Sequence, residues 1–427
     1  MYFKKLILLF FSDLSDLIHS NAFLARHKLG LTSFTRSRKL SFPDIVLFLL
    51  RLPQKTLSSE IADFVEDCLP QKEIIRISKQ AFCVGRQKIA PKAFQELLYF
   101  TYRRLHLHPS STYWHGHVVK AIDGTTFRVP NTPENRRRFQ TQKNQYIEVP
   151  LIKASILYNV SEDLIEDVVL GKCRDSERNQ AEKVLPYKVM HASKGSRPII
   201  IFDRGYQSGA LIHYISGNNG LFLMRCPTTS TFKNVLACPL GDSETMIFYK
   251  KQKIRLRVLR FILENGEEEV LITNLFDNSL NVKDFEELYI MRWKIEGKYR
   301  EIKQQLKTEN FAGIKPENIL QEVYAALAFS NITSALKFLV DKGIEEDTEE
   351  KGNRYQYQAN RNFLVGSLKK NLHLFLSNTL GTGVVLERLL ILAQKERSPI
   401  RPGRKEERFW HKYGKSHTYC MNQRTAL

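Results

Sequence analysis

The sequence predicts an α/β fold, a sheet flanked by helices with a helical N-terminal region and a β-rich insertion, and three observations carry this expectation. From about residue 111, "HVVKAIDGTTFRV", "PLIKASILYNV" and "LIEDVVLG" alternate apolar and polar residues or run almost continuously apolar, as strands of one sheet do. A helix-patterned stretch, "DSERNQAEKVLPYKVM", then leads into "PIIIFDRGYQ", whose short apolar run fits a strand buried on both faces. Strand, helix and buried strand in succession indicate an α/β layer. Between 226 and 276 helical periodicity disappears, and "KKQKIRLRVLRFILENGEEEVLITNLF" reads as a hairpin with Asn265 and Gly266 at its turn.

Taken from the N-terminus, residues 1–110 form a helical domain. "LILLFF" after Lys4 and Lys5 is cut short by Asp13, Asp16 and His19, and so reads as an amphipathic helix rather than a signal peptide. Ser41 with Pro43, then Ser58 and Ser78, mark three helix starts. Lys79, Arg86 and Lys88 place basic charge on a short capped helix that follows another. That arrangement suggests a helix-turn-helix-like DNA reader, with a solvated face on a helical bundle as the alternative. Residues 111–225 form the first part of an α/β core, 226–276 the β-rich insertion, and 277–395 the rest of the core with C-terminal helices at 282–308 and 317–342. "EEDTEEKGN" is expected to be a solvated loop. Residues 396–427 form a basic tail with Phe409, Trp410, Tyr413 and Tyr419 interleaved, either an arm lying along DNA or a disordered segment.

Charge narrows the partners. Lys and Arg number 65 against 45 Asp and Glu, a net +20, in a chain that is 43% hydrophobic. A folded protein with that excess suits a polyanion, because each neutralised phosphate releases condensed counterions. The apolar runs at 6–11 and 45–50 fall short of the roughly 18 residues that cross a bilayer, so no membrane is expected. Six scattered cysteines (Cys68, Cys83, Cys173, Cys226, Cys238 and Cys420) form no C-x-x-C pair, which argues against a disulfide framework or cysteine zinc site and fits a reducing cytoplasm. His106, His108, His115 and His117 cluster without an acidic or cysteine partner nearby, so interdomain hydrogen bonding or phosphate contact is expected rather than zinc.

The chemistry lies elsewhere. In "YIMRWKIEGKYREIK", Tyr289, Arg292, Glu296 and Lys303 recur at spacings that keep them within about 60° of one another on a continuous helix. Asp123 sits where an apolar strand meets a glycine turn, "AIDGTTF", and Asp203 ends the buried strand in "FDRGY". Each has an ordinary reading as an ion-paired surface or a turn residue. Together they give two strand-borne aspartates and a helix-borne glutamate. Three carboxylates without Cys or His form a hard-oxygen set suited to Mg²⁺ or Mn²⁺. Two such ions about 4 Å apart can hold both oxygens of an in-line displacement at phosphorus. Arg292 and Lys303 would then grip phosphates, and Tyr289 would stack on a base or bond a phosphate.

"AIDGTTF", "FDRGY" and the spacing Y-x2-R-x3-E-x6-K resemble the signatures of bacterial insertion-sequence DDE transposases of the Tyr-Arg-Glu-Lys, cut-and-paste group. The order Asp, Asp, β-rich insertion, Glu is similar too. The resemblance implies a ribonuclease H-like mixed sheet, a helical N-terminal DNA-binding domain, and two Mg²⁺ or Mn²⁺ ions held by Asp123, Asp203 and Glu296. It implies DNA contacts from Tyr289, Arg292, Lys303 and Arg204. It further implies strand cleavage by an activated water, hairpin formation by the freed 3′-hydroxyl, and joining to target DNA by a homodimer that synapses the element's terminal inverted repeats. Some relatives hold a flipped base with a Trp in the β insertion; here Trp114, Trp293 and Trp410 all lie outside it, leaving Phe232, Phe248 or Tyr249 as substitutes. A metal-dependent nuclease that cuts without joining and a non-catalytic DNA-binding regulator are the alternatives. A cytoplasmic, nucleoid-associated protein is expected.

Overall fold

The computed structural model describes residues 2–69, 76–106, 113–143, 147–185, 197–351, 355–376 and 381–400. His108 and the tail beyond residue 400, with its four aromatic residues, lie outside them. The chain divides into two compact units, one built from 1–106, 128–150 and 301–427, the other from 107–127 and 151–300.

The second unit is organised by a mixed sheet. In chain order its strands are β1 (Val119–Arg128), β3 (Glu148–Asn159), β4 (Leu164–Lys172), β5 (Ile199–Phe202), β6 (Leu221–Arg225), β7 (Gly241–Tyr249), β8 (Gln252–Ile262) and β9 (Glu268–Thr273), and β2 (Thr141–Lys143) pairs with the start of β3 in the first unit. Across the sheet the order is β4, β3, β1, β5, β6, β9, β8, β7. β1, β5 and β6 are mutually parallel, while β4 pairs with β3, and β9, β8 and β7 pair in turn, antiparallel. The parallel centre is covered on its faces, as such strands require: all four residues of β5 are buried, and the helix Gly209–Gly217 crosses from β5 to β6 and buries Leu211, Ile212 and Ile215.

The segment 226–276 does not stand apart as an inserted subdomain, because β9 pairs with β6 and carries the hydrogen-bond ladder directly into β8 and β7. Val270, Leu271 and Ile272 are buried, so these strands share the core of the sheet rather than forming their own. A short helix, Lys233–Leu236, interrupts the region. The β8–β9 turn falls at Asn265 and Gly266, with Gly266 at φ +81°, a conformation glycine adopts without strain.

The first unit is helical. Its long helix Pro316–Lys351 packs along Lys92–Leu105 and is apolar on all sides through Ile319, Val323, Leu327, Phe329, Ile332 and Leu336, which is the pattern of a central buried helix. An 18-residue window of it has a mean hydropathy of 1.5, apolar enough to cross a membrane, yet 83% of that window is buried inside the protein. The helix runs on through "EEDTEEK", correcting the loop expected there: Glu and Lys are good helix formers, and Asp347 accepts an ion pair from Arg397 at 2.7 Å. The N-terminal stretch forms Tyr2–His19, an amphipathic helix burying Phe10, Phe11 and Leu14.

Two further expectations change. Ser41 and Ser78 do cap their helices, but Leu57–Cys68 starts from Thr56 rather than Ser58, and there the carboxylate of Glu60 accepts the amides of Gln54 and Lys55. Arg86 is no surface reader of DNA. It is 1% exposed, paired with Glu322 at 2.9 Å and bonded to Gln321 Oε1 and the Asn318 carbonyl, so its guanidinium is consumed inside the helical unit. Lys79 and Lys88 keep some exposure.

Candidate active site

Three neighbouring parallel strands carry charged residues in line: β5 and β6 end there, whereas Asp123 lies midway along β1, which runs on through Gly124 to Arg128 instead of making the glycine turn expected from the sequence. Register pairs Ile122 of β1 with Phe202 of β5, and Phe202 with Met224 of β6, so Asp123, Asp203 and Arg225 follow in line. This is the carboxyl edge, where ligand sites of open α/β sheets gather. Asp123 Oδ1 accepts the Gly124 amide at 2.8 Å, and its carbonyl accepts the hydroxyl of buried Tyr299 at 2.6 Å. Asp203 precedes the 3-10 turn Arg204–Tyr206, and its Oδ1 accepts the hydroxyl of Tyr289 at 3.0 Å. Arg204, the residue after it, points to solvent.

Tyr289 arrives on the helix Val282–Ile290, started by Asn281 in a capping box with Asp284 and anchored by buried Phe285 and Leu288. The single helix expected for the tyrosine, arginine, glutamate and lysine is not continuous. Amides of Met291, Arg292, Lys294 and Ile295 bond carbonyls three residues back, tightening the chain before Trp293–Arg300 resumes as α-helix, and Glu301–Gln305 then widens into a π turn closed by the Leu306 amide on the Glu301 carbonyl at 3.0 Å. Packing explains the break: Arg292 is 4% exposed, and the tightened turn brings its guanidinium over the rings of Tyr289 and Trp293, at 5.5 and 5.1 Å. Arg292 Nη2 donates to Glu296 Oε1 at 3.3 Å, while its buried Nε has no partner among the described residues. Lys303 belongs to the first unit, where burial lowers its pKa against the pull of Glu309.

Residues 114–332 match the family described as the transposase DDE domain, a span that takes in half of the chain. The chain belongs to that family. The transposase InsG for insertion sequence element IS4, from Escherichia coli (strain K12), is 23% identical over 273 residues, which are 60% of this chain and 60% of that protein. The chain thus spans less than two thirds of the length of this curated relative. A cryo-EM structure of a piggyBac transposase synaptic complex with hairpin DNA superposes with a TM-score of 0.43 at 12% identity, covering 98% of this chain and 88% of that one.

Within the DDE domain the charges feel one another. Burial pushes Asp123 up to about 6; the Gly124 amide and Arg292 oppose the shift, and Asp203 and Glu296 add to it. Burial works against charge on Arg292, but Tyr289, Asp203, Asp123 and Glu296 outweigh it and leave the guanidinium pKa raised. Burial, then Asp203, raises the Tyr289 phenol. One arginine is therefore the common countercharge of three carboxylates.

Neighbours that the motifs did not reveal surround these carboxylates. Arg225 pairs with Glu269 of β9 at 2.6 Å, and Glu269, 4% exposed, has a pKa raised by burial and by Asp203. "LFLMR" repeats the pattern of "IIIFD", an apolar run ending in a charge, and could have indicated Arg225. Glu177, paired with Lys153 at 3.3 Å, lies so close to β1 beside Asp123 that a Cβ on Gly124 would meet its Oε1 at 3.2 Å. Tyr206 and Tyr299 are buried phenols whose pKa values burial and Asp123 raise. Of the aromatic residues considered for base stacking, Phe248 is 63% exposed, whereas Phe232 and Tyr249 pack against the core. His117 Nδ1 bonds the Arg197 carbonyl and His115 faces Asp284, while burial raises the Cys173 thiol.

Among the described residues no group of three or more His, Cys, Asp or Glu is gathered to hold a metal ion. The chemistry of the donors nonetheless fits Mg²⁺ or Mn²⁺: Asp123, Asp203 and Glu296 offer only carboxylate oxygens, and they share the buried guanidinium of Arg292. Each is now satisfied by a protein donor, namely the Gly124 amide, the Tyr289 hydroxyl and Arg292.

Proposed function

We propose that this protein is the DNA transposase of an IS4-type insertion sequence, acting by cut-and-paste within the Tyr-Arg-Glu-Lys group on a ribonuclease H-like core. The observation that carries the proposal is the alignment of Asp123 and Asp203 on adjacent parallel strands, with Arg292 as the countercharge they share with Glu296. Membership of the transposase DDE domain family and the similarity to InsG support it. The net charge of +20 suits a DNA substrate.

In this reading Asp123, Asp203 and Glu296 hold two Mg²⁺ or Mn²⁺ ions. When bound, the ions supply Lewis acidity at the scissile phosphate and a nucleophilic water or 3′-hydroxyl. Tyr289 orients the Asp203 carboxylate through its hydroxyl. Arg292, released from Glu296, turns its guanidinium to a phosphate oxygen, where a planar fork binds bidentately. Arg204 and Lys303 contact the DNA backbone, and two copies bring a pair of terminal inverted repeats together before the ends enter target DNA.

The test is an assay on DNA carrying the element's own termini. The purified protein is expected to nick and then join these ends only with Mg²⁺ or Mn²⁺, and Glu296→Gln to remove cleavage while retaining binding. Cleavage without any joined product would point to a nuclease. Normal cutting by Glu296→Gln would remove that residue from the proposed triad.

A further inference from the structure

Arg257 of β8 is only 5% exposed, a setting a guanidinium tolerates when its nitrogens are engaged. All three are. Nε bonds both carboxylate oxygens of Asp242 on β7, at 3.0 and 3.1 Å, and Nη2 bonds the same carboxylate. Nη1 donates to the Asp277 carbonyl at 2.7 Å and Nη2 to the Leu280 carbonyl at 2.6 Å. The guanidinium carbon lies 5.0 Å from the centre of the Phe285 ring.

Asp277 and Leu280 lie in the loop that enters Val282–Ile290, the helix that carries Tyr289 to Asp203. One side chain therefore ties the β7–β8 hairpin to the start of that helix and stacks on the helix's own buried anchor. The apolar core does not require it, since Leu256, Val258 and Leu259 of the same strand are buried already. From Asn281 to Tyr289 the helix rises about 12 Å, so a tilt of about 5° at its base displaces the tyrosine by about 1 Å.

We infer that Arg257 is a positioning residue for the DDE site: with Asp242 it fixes the tilt of Val282–Ile290, and so sets where Tyr289, Arg292 and Glu296 stand against Asp203 and Asp123. This deepens the transposase proposal and rests on it. A misplacement of about 1 Å at reacting groups can cost about 100-fold in rate. Lysine keeps the charge at this position but cannot span a carboxylate and two carbonyls.

The experiment uses the full chain with Arg257→Lys and Asp242→Asn. Affinity for DNA bearing the element's termini, single-turnover cleavage, the Mg²⁺ concentration for half-maximal rate and hydrogen exchange of the 282–290 amides are measured. Arg257→Lys is expected to bind within about threefold of the parent and to cleave about 100-fold more slowly. Its Mg²⁺ requirement should rise severalfold and its 282–290 amides exchange about tenfold faster. Asp242→Asn, which leaves the carbonyl bonds in place, should shift each quantity in the same direction by less, and carries the test if Arg257→Lys does not fold. Unchanged cleavage and Mg²⁺ dependence in folded variants would overturn the inference, as would losses of binding and cleavage in equal proportion. If the parent protein itself does not cleave, the transposase reading fails instead. Exchange then decides alone: faster exchange in the variant supports the positioning role, and equal exchange overturns it.

Discussion

The hydroxyl of Tyr289 and the carboxylate of Asp203, 86 positions apart in the chain, are joined by a 3.0 Å hydrogen bond that links the glutamate-bearing segment to the end of β5. Removing the hydroxyl leaves the ring packing intact and isolates this bond. Tyr289→Phe is expected to lower stability by about 1–2 kcal/mol, as bonds to charged groups do, and cleavage by about tenfold. Urea denaturation and single-turnover cleavage measure the two effects. A variant unchanged in both would show the bond to be idle.

Asp123 makes the stability of the metal-free protein depend on pH. Its carboxyl titrates near 3.8 when unfolded and at about 6 when folded. Between those values the native state holds a proton that the unfolded state has lost, so stability is greatest below about 4, falls as pH rises through 6 and levels off above. Asp123→Asn, neutral at every pH, should match the parent near pH 4 and be more stable by about 2 kcal/mol at pH 8 in EDTA. Thermal melting at the two pH values checks this; a constant difference would show that burial of the charge is not its cause.

Arg292 is the countercharge for three carboxylates. Replacing it with Met leaves them facing one another, and is expected to cost about 3 kcal/mol in EDTA. Mg²⁺ should recover part of that loss, raising the melting temperature of Arg292→Met more than that of the parent. An equal rise in both would show that the arginine and the ions do not neutralise the same groups.

Arg86 and Glu322 should behave as a buried pair. Arg86→Met or Glu322→Gln alone is expected to destabilise by about 3 kcal/mol, and the double variant by distinctly less than the sum, as expected for a pair whose partner is otherwise left uncompensated. A double-mutant cycle in urea gives the coupling. The salt dependence of DNA binding should stay that of the parent, and a flatter slope in a folded variant would return Arg86 to the DNA-facing surface.

A cut after Ile400 keeps Arg397–Pro399, which pairs with Tyr357–Ala359 and must stay. Truncation at 400 is expected to weaken DNA binding and reduce the slope of log affinity against log salt. An unchanged slope would mean that the tail does not contact phosphate.

The parts of the fold legible in the sequence were those that a local pattern dictates. β5 shows in four consecutive apolar residues, the β8–β9 turn in Asn265 and Gly266, and two helix starts in Ser41 and Ser78. The position of Asp203 at the end of β5 was readable for the same reason, whereas the glycine after Asp123 suggested a turn where β1 in fact continues. What stayed hidden was tertiary. Nothing local to Arg86 announces Glu322 more than two hundred residues away, and "EEDTEEK" reads as a solvated loop until a helix already under way carries through it. The interruption at Met291 and Arg292 was equally invisible, because a regular spacing of polar residues looks the same on a continuous helix and on one tightened to bury a guanidinium.

The π turn at Glu301–Gln305 is an α-helix holding one residue more than its ladder can pair. It therefore marks a place where the gene could have gained a codon without breaking the chain. Losing one residue there would restore regular winding, and the chain that leaves the helix at Leu306 would be drawn back by one residue. Glu301 opens the turn, and Arg361 and Ser330 hold its buried carboxylate. Length in this segment should consequently be guarded more strictly than composition, with relatives tolerating substitutions here far better than insertions or deletions.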